Sequence, residues 1–237
     1  MLSPENRVVM VSGANRGIGL AVARNLLAKG YCLSLGARDP RKIAAALGEA
    51  GADRVLAAAF DARDRASATA WAEATAQRFG RIDALVNNAG ISTPARIEDE
   101  DEAVLDALWE VNVKGPLRLI RAALPHLKRS GTGRVVTIAS LSGKRVANDN
   151  VGYAMSKFAV VALTHGVRRL GWEHGIRACA ICPSFVDTDM TAAVTALPRS
   201  AMIQPGDLAE LVATALALPN NAVVAEYLVN CRFEPML

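Results

Sequence analysis

The chain has 237 residues, 51 % of them apolar and 21 % charged, with 27 basic and 23 acidic side chains for a net charge of +4. Ordinary globular composition at this length excludes a disordered chain and suffices to bury one large core, so a single domain over residues 1–237 is expected. The basic residues are dispersed and aromatics make up only 5 %, which argues against a nucleic-acid partner; the chain opens without a signal-peptide pattern and has no uninterrupted membrane-length apolar stretch, so a cytoplasmic protein without membrane contact is expected.

Short apolar runs then alternate with segments of helical spacing along the whole chain. The first run, 7–12, leads through Ser12-Gly13-Ala14-Asn15-Arg16-Gly17-Ile18-Gly19 into a helical segment, 17–29. Glycines at such a corner permit a tight turn and close backbone approach to a pyrophosphate, and the free amides of the helix start favour negative charge. The spacing is Gly-x-x-x-Gly-x-Gly rather than Gly-x-Gly-x-x-Gly, and a glycine cluster alone also marks a plain turn. The strand before it and the amphipathic helix after it favour nucleotide binding through Gly13, Asn15, Arg16, Gly17, Ile18 and Gly19.

A second strand, 31–36, is followed by Ala37-Arg38-Asp39 and a helix at 40–50. NAD-preferring dinucleotide sites place an acid after this strand, on the ribose 2′-hydroxyl. Here that place holds Ala37, with Arg38 next to it, and Arg16 lies in the glycine-rich loop; two guanidinium groups suit the 2′-phosphate that only NADP carries. Asp39 would take the ribose if the strand ended later, and each arginine also reads as an ordinary surface charge. The expectation is NADP(H) over NAD(H).

The third strand, 54–60, runs into Asp61-Ala62 and a helix at 64–79; the fourth, 82–87, closes on Asn87-Asn88-Ala89-Gly90. That asparagine pair reads equally as a strand-to-loop corner. A long helical stretch, 98–127, with a break expected at Gly115-Pro116, precedes the fifth strand, 134–140, which ends on Ser140. Tyr153 opens the next helix, 153–173, and Lys157 lies one turn on, so phenol and ammonium share a face. In the sixth strand, 176–182, Cys179 and Cys182 form a Cys-x-x-Cys pair. It reads as buried reduced thiols, because the run is apolar, ends at Pro183 and has no second pair nearby. A helix at 205–218 and a strand at 223–229 complete a doubly wound α/β Rossmann-type fold, with a mostly parallel seven-stranded sheet and helices on both faces. The loops after Gly90, at 144–150 and at 185–204 all follow strands and gather where ligands bind in such folds.

The Tyr153–Lys157 pair has definite chemistry. A tyrosine of pKa about 10 is a poor base at neutral pH, but an ammonium about 4 Å away stabilises its phenolate by roughly 4 kcal/mol at an effective dielectric of about 20, about three pKa units before desolvation opposes it. Tyr153 then exchanges a proton with a substrate oxygen that Ser140 orients. Taken alone, such a pair also occurs on solvated helix faces.

Together these motifs resemble the short-chain dehydrogenase/reductase family over 7–229: Gly13, Gly17 and Gly19; Asp61; Asn87 to Gly90; Asn112; Ser140, Tyr153 and Lys157; and Pro183. The resemblance implies an NAD(P)-dependent oxidoreductase that moves a hydride between its cofactor and a small-molecule carbonyl or alcohol. It implies Tyr153 as acid/base, Ser140 on the substrate oxygen, Lys157 on the nicotinamide ribose, and Asn112 holding a water that links the lysine to solvent. It further implies Asp61 and Ala62 facing the adenine, Asn87 bordering the adenosine ribose with Ala89 and Gly90 beside it, and Pro183, Val186 and Thr188 toward the nicotinamide, the last two at its carboxamide.

Two departures stand out: Ser184 replaces the glycine common after Pro183, and the C-terminal segment lacks the Gly-rich ending of many members, so subunit contacts made there do not carry over. The alternative function is a catalytically silent NADP(H)-binding regulatory module, which would keep the glycine loop but could dispense with Tyr, Lys or Ser. The expected substrate lining, Ser92, Thr93, Leu141, Ser142, Val146, Asn148, Asn150, Ser184 and Phe185, is mixed; Lys144 and Arg145 either greet an acidic substrate or are merely solvated. Phe158, Val160, Val161 and Leu163 point in too many directions for one buried stripe, so a homodimer or homotetramer is expected, unless that helix is buried within its own subunit.

Overall fold

The computed structural model describes residues 1–48 and 51–233. Seven strands, β1 (Val8–Ser12), β2 (Cys32–Ala37), β3 (Val55–Ala59), β4 (Ala84–Asn87), β5 (Arg134–Ile138), β6 (Arg177–Pro183) and β7 (Glu226–Val229), form one sheet in the order β3-β2-β1-β4-β5-β6-β7. Every pairing is parallel. The chain therefore returns over the sheet between strands, and the connections supply α1 (Gly17–Ala28), α2 (Arg41–Leu47), α3 (Arg65–Phe79), α4 (Ala103–Trp109), α5 (Gly115–Ser130), α6 (Val151–Gly171) and α7 (Pro205–Ala217). None of the described helices is long and apolar enough to cross a membrane.

Strand alternation sorts the core into two layers. Val9, Val11, Leu33, Leu35, Val86, Val136, Cys179 and Ile181 pack with α1 and α7, whereas Met10, Leu85, Val135 and Ala178 pack with α3 and α5. Ala180 and Cys182 complete the second face against Val160 and Val161 of α6. Cys179 and Cys182 are an odd number of residues apart and thus lie on opposite faces of the sheet, each as a free thiol. Burial pushes Cys179 up to about 12 and Cys182 up to about 11, so both are inert at neutral pH.

Several boundaries depart from the sequence reading, among them the last strand, expected from 223 and found from Glu226. The helix expected at 40–50 ends at Leu47 with Gly48 as its cap; residues 49 and 50 lie outside the described residues, as do 234–237 of the expected domain. The stretch expected to be helical over 98–127 begins only at Ala103, and its irregularity comes before Gly115, as a π turn at Glu110–Lys114. Strand β5 stops at Ile138, because Ser140 caps a 3-10 turn, Leu141–Gly143, accepting the Ser142 amide at 3.1 Å.

Helix α6 starts at Val151 rather than at Tyr153 because Asn150 caps it: its Oδ1 accepts the amides of Tyr153 at 3.4 Å and of Ala95 at 3.0 Å. Its apolar residues divide. Val160 and Val161 serve the subunit's own core, while Met155 and Phe158 stand 47 % and 44 % exposed.

Candidate functional site

Where the order of strands reverses, between β1 and β4, the loops at the carboxyl edge part and leave a cleft of about 570 Å³. One end is made by the turn from β1 into α1. Gly13 takes a φ of +67°, and its amide and that of Ala14 donate to Gly36 O at 2.8 and 3.3 Å, which folds the loop back over β2. A Cβ on Gly19 would lie 2.2 Å from Gly13 O and 2.5 Å from Asn88 Nδ2, so the helix can approach the loop this closely only through glycine. Arg16, the residue before α1, provides no side-chain cap, leaving the first amides of the helix to a ligand. This cradle fits a pyrophosphate.

The loop is braced from behind by Ser12 and Asn88, which stand within the two motifs but to which the sequence assigns no site role. Ser12 Oγ accepts the amides of Asn88 and Ala89 at 3.0 and 3.1 Å, and Asn88 Nδ2 donates to the carbonyls of Ser12 and Gly13 at 2.9 and 3.2 Å. Asn87, expected beside the adenosine ribose, does not reach the cleft wall. It is the last residue of β4, 2 % exposed, and its amide group has no hydrogen-bond partner among the described residues. Strand alternation turns adjacent side chains apart, and it is Asn88 that faces the loop.

Of the other sequence-predicted residues, Gly13, Asn15, Arg16, Gly17, Ile18, Arg38, Asp61, Ala62, Ala89, Gly90, Ser140, Tyr153, Lys157, Pro183, Val186 and Thr188 all line this cleft. Gly19 and Asn112 stand behind it. Asn112 sits in the π turn and its side-chain amide is engaged by Ile91: Oδ1 accepts the Ile91 amide at 2.9 Å, and Nδ2 donates to Ile91 O at 2.9 Å and Ser156 Oγ at 3.0 Å. A methyl group on Gly90 would lie 3.3 Å from Asn112 Oδ1 and 3.8 Å from Lys157 Nζ, so this glycine keeps the asparagine and the lysine facing one small space.

At the other end, Ser140, Tyr153 and Lys157 line the same wall of the cleft. Burial pushes Tyr153 up to about 12, a rise that the neighbouring Ser140 hydroxyl only partly opposes. Lys157 is 8 % exposed, and burial pulls it down to about 8. The pairing expected from the sequence, with the ammonium lowering the phenol, does not set the direction here: burial does, and the opposing contribution comes from Ser140. The lysine donates to Ile138 O at 3.1 Å and stands 5.6 Å from the centre of the Tyr153 ring.

Among the residues expected around a substrate, Thr93 and Val146 are not on the wall, and Val146 points to solvent. Arg145, Met190, Val194 and Arg232 line the cleft as well. Arg232 carries no local signal, since only the pairing of β7 with β6 brings the segment just after β7 here.

Residues 7–198 match the short chain dehydrogenase family. The chain is 43 % identical over 231 residues to an agropine synthesis reductase of Rhizobium rhizogenes, an alignment covering 97 % of this chain and 54 % of that protein. It thus spans about half the length of the first curated relatives it matches. An alcohol dehydrogenase of Thermococcus sibiricus, solved with 5-hydroxy-NADP, superposes with a TM-score of 0.85 at 30 % identity over 94 % of this chain and 95 % of its own. A 3-ketoacyl-(acyl-carrier-protein) reductase of Brucella melitensis, solved with NADH, superposes with a TM-score of 0.88 at 28 % identity over 97 % and 98 %. By its matched sequence, its seven-stranded parallel sheet and these likenesses, the chain belongs to the short-chain dehydrogenase/reductase family of oxidoreductases.

Proposed function

We propose that the chain is an NADP(H)-preferring oxidoreductase acting on a CH–OH or C=O group, with Tyr153 as its acid/base. The observation that carries this reading is that Ser140, Tyr153 and Lys157 line one cleft, with Lys157 Nζ 5.6 Å from the centre of the Tyr153 ring, together with a glycine cradle fit for a pyrophosphate. When bound, the nicotinamide cofactor supplies or accepts the hydride. Tyr153 gives its proton to the substrate oxygen during reduction and takes it back during oxidation, while Ser140 holds that oxygen through its hydroxyl. Lys157 holds the ribose and keeps a positive charge near the phenol as its proton leaves, and Asn112 fixes the backbone at Ile91 that walls this space.

Preference for NADP(H) is supported at the other end. Arg16 and Arg38 both line the cleft beside Ala37. Asp39, the acid that would favour NAD, is held by Arg41: its Oδ1 accepts Nε at 2.9 Å and the amide at 3.1 Å, and its Oδ2 accepts Nη2 at 3.1 Å. Against it, Arg16 pairs with Asp189 at 3.2 Å, although both are well exposed and such a pair exchanges readily for a phosphate.

The test is a screen of ketones, aldehydes and alcohols by the absorbance of reduced nicotinamide, run with the parent and Tyr153→Phe. Removing a general acid/base costs about 10²–10⁴ in turnover, so the variant should lose that much and bind NADPH within about twofold of the parent. Near-parental turnover by the variant would overturn the assignment of Tyr153.

A further inference from the structure

Ser140 and Tyr153 must meet one substrate oxygen, yet they stand on different elements, Ser140 at the turn after β5 and Tyr153 on α6. Reacting groups tolerate little misplacement, since an error of about 1 Å costs up to about 100-fold in rate. The turn lies directly on the helix. A Cβ on Gly143 would sit 2.6 Å from Lys157 O and 3.2 Å from Val161 Cγ2, so only glycine lets Leu141–Gly143 come this close to the helix backbone. Such a contact sets the separation of the two elements and, having no side chain to interdigitate, resists sliding along the helix only weakly.

A carboxylate supplies that resistance. Glu226 opens β7 opposite Ala180 of β6, on the sheet face that α6 covers. Its Oε2 lies 3.0 Å from Lys144 Nζ, while Oε1 lies 3.2 Å from the same ammonium and 2.6 Å from His165 Nε2. Lys144 ends the turn that Ser140 caps, its amide donating to Leu141 O at 2.9 Å. His165 stands on α6 in one row with Lys157 and Val161, each four residues from the next. All three side chains of the cluster are more buried than exposed, and that of Glu226 is only 19 % exposed, so solvent screens them less than a pair on the open surface. Hydrogen bonds with charged partners are also the strong ones.

We propose that Glu226 is a positioning residue: by holding Lys144 and His165 at once, it fixes the turn that carries Ser140 against the helix that carries Tyr153 and Lys157. The proposal rests on the oxidoreductase reading of Ser140 and Tyr153 and adds a residue that is not part of the cleft wall. Lys144 and His165 are off the wall as well, so loss of the cluster should slow the chemical step and spare the affinity for cofactor.

The experiment measures kcat, KM and NADPH affinity for Glu226→Gln, Lys144→Met, the double variant and Lys144→Arg, with the carbonyl compound that the parent reduces fastest. Mass spectrometry follows amide exchange of the unliganded chain over 140–147. Glu226→Gln and Lys144→Met should each lower kcat about tenfold, leave KM and NADPH affinity within about twofold, and speed exchange in that peptide alone. The double variant should lose no more than Glu226→Gln by itself, and Lys144→Arg, which keeps the charge, should retain most of the parental kcat. Glu210→Gln, which breaks the pair with Lys29 away from the cleft, should change neither kcat nor exchange over 140–147. A merely structural role would lower Tm and leave the kcat of the folded chain unchanged. Parental kcat in both single variants, or losses that multiply in the double variant, would overturn the positioning role and, with Tyr153→Phe inactive, leave the oxidoreductase reading standing. Faster exchange over 140–147 in a chain that turns over no compound would support the hold on the turn and overturn the oxidoreductase reading. Unchanged exchange and no turnover would overturn both.

Discussion

Lys157 directs its ammonium at the carbonyl of Ile138, 3.1 Å away, and leaves the Tyr153 ring centre at 5.6 Å. A buried cation satisfied by one backbone carbonyl is costly, and its pKa falls to about 8. Between pH 8 and the usual lysine value of about 10.4, the unfolded chain therefore binds more protons here than the folded one, so this group's contribution to stability rises with pH across that window. Below pH 8 the burial cost is present in full. Lys157→Met should accordingly raise Tm at pH 7, and the gain should shrink as pH approaches 10.5, while activity is lost throughout. Calorimetry at several pH values checks this; a variant no more stable than the parent at pH 7 contradicts it.

Gly19→Ala tests the cradle. The added methyl would meet Gly13 O at 2.2 Å and Asn88 Nδ2 at 2.5 Å, and the first of these is backbone that cannot swing aside. Overpacking of this kind costs about 1–3 kcal/mol, a fall in Tm of about 2–4 °C per kcal/mol for a chain of this size. Dinucleotide binding should weaken at least tenfold. Unchanged Tm together with parental affinity would show that the loop does not hold a pyrophosphate as described.

Arg38→Ala addresses cofactor choice. Arg38 is exposed at the end of β2 and its guanidinium has room to meet a 2′-phosphate, while Asp39 is occupied by Arg41. The parent should show a severalfold higher kcat/KM with NADPH than with NADH. The substitution should depress the NADPH value about tenfold and the NADH value far less, as expected for loss of one charge-assisted pairing. Equal losses with both cofactors, or no preference in the parent, would count against it.

Met155 and Phe158 are exposed apolar residues about one turn apart on α6. We expect a homo-oligomer that covers them. Light scattering should give a multiple of the monomer mass for the parent, and Phe158→Asp should shift the distribution toward monomer without lowering Tm by more than a few degrees. A monomeric parent at micromolar concentration would leave them without this explanation.

What the sequence by itself determined is what depends on neighbours along the chain. The alternation of apolar runs with helical segments set seven strands and their connections, and the four-residue step from Tyr153 to Lys157 set two side chains on one helical face, because backbone periodicity is local. The tertiary structure alone decided which of two adjacent residues does the work. Asn88 braces the glycine loop rather than Asn87, and Arg145 reaches the cleft while Lys144 turns to Glu226. Arg232 enters the site from the segment just after β7, Cys179 and Cys182 are separated by the sheet, and Tyr153 rises to about 12 instead of falling. In each case the outcome turns on burial and on the distance to groups carried by remote segments, and those quantities exist only once the strands have paired and the helices have closed over them.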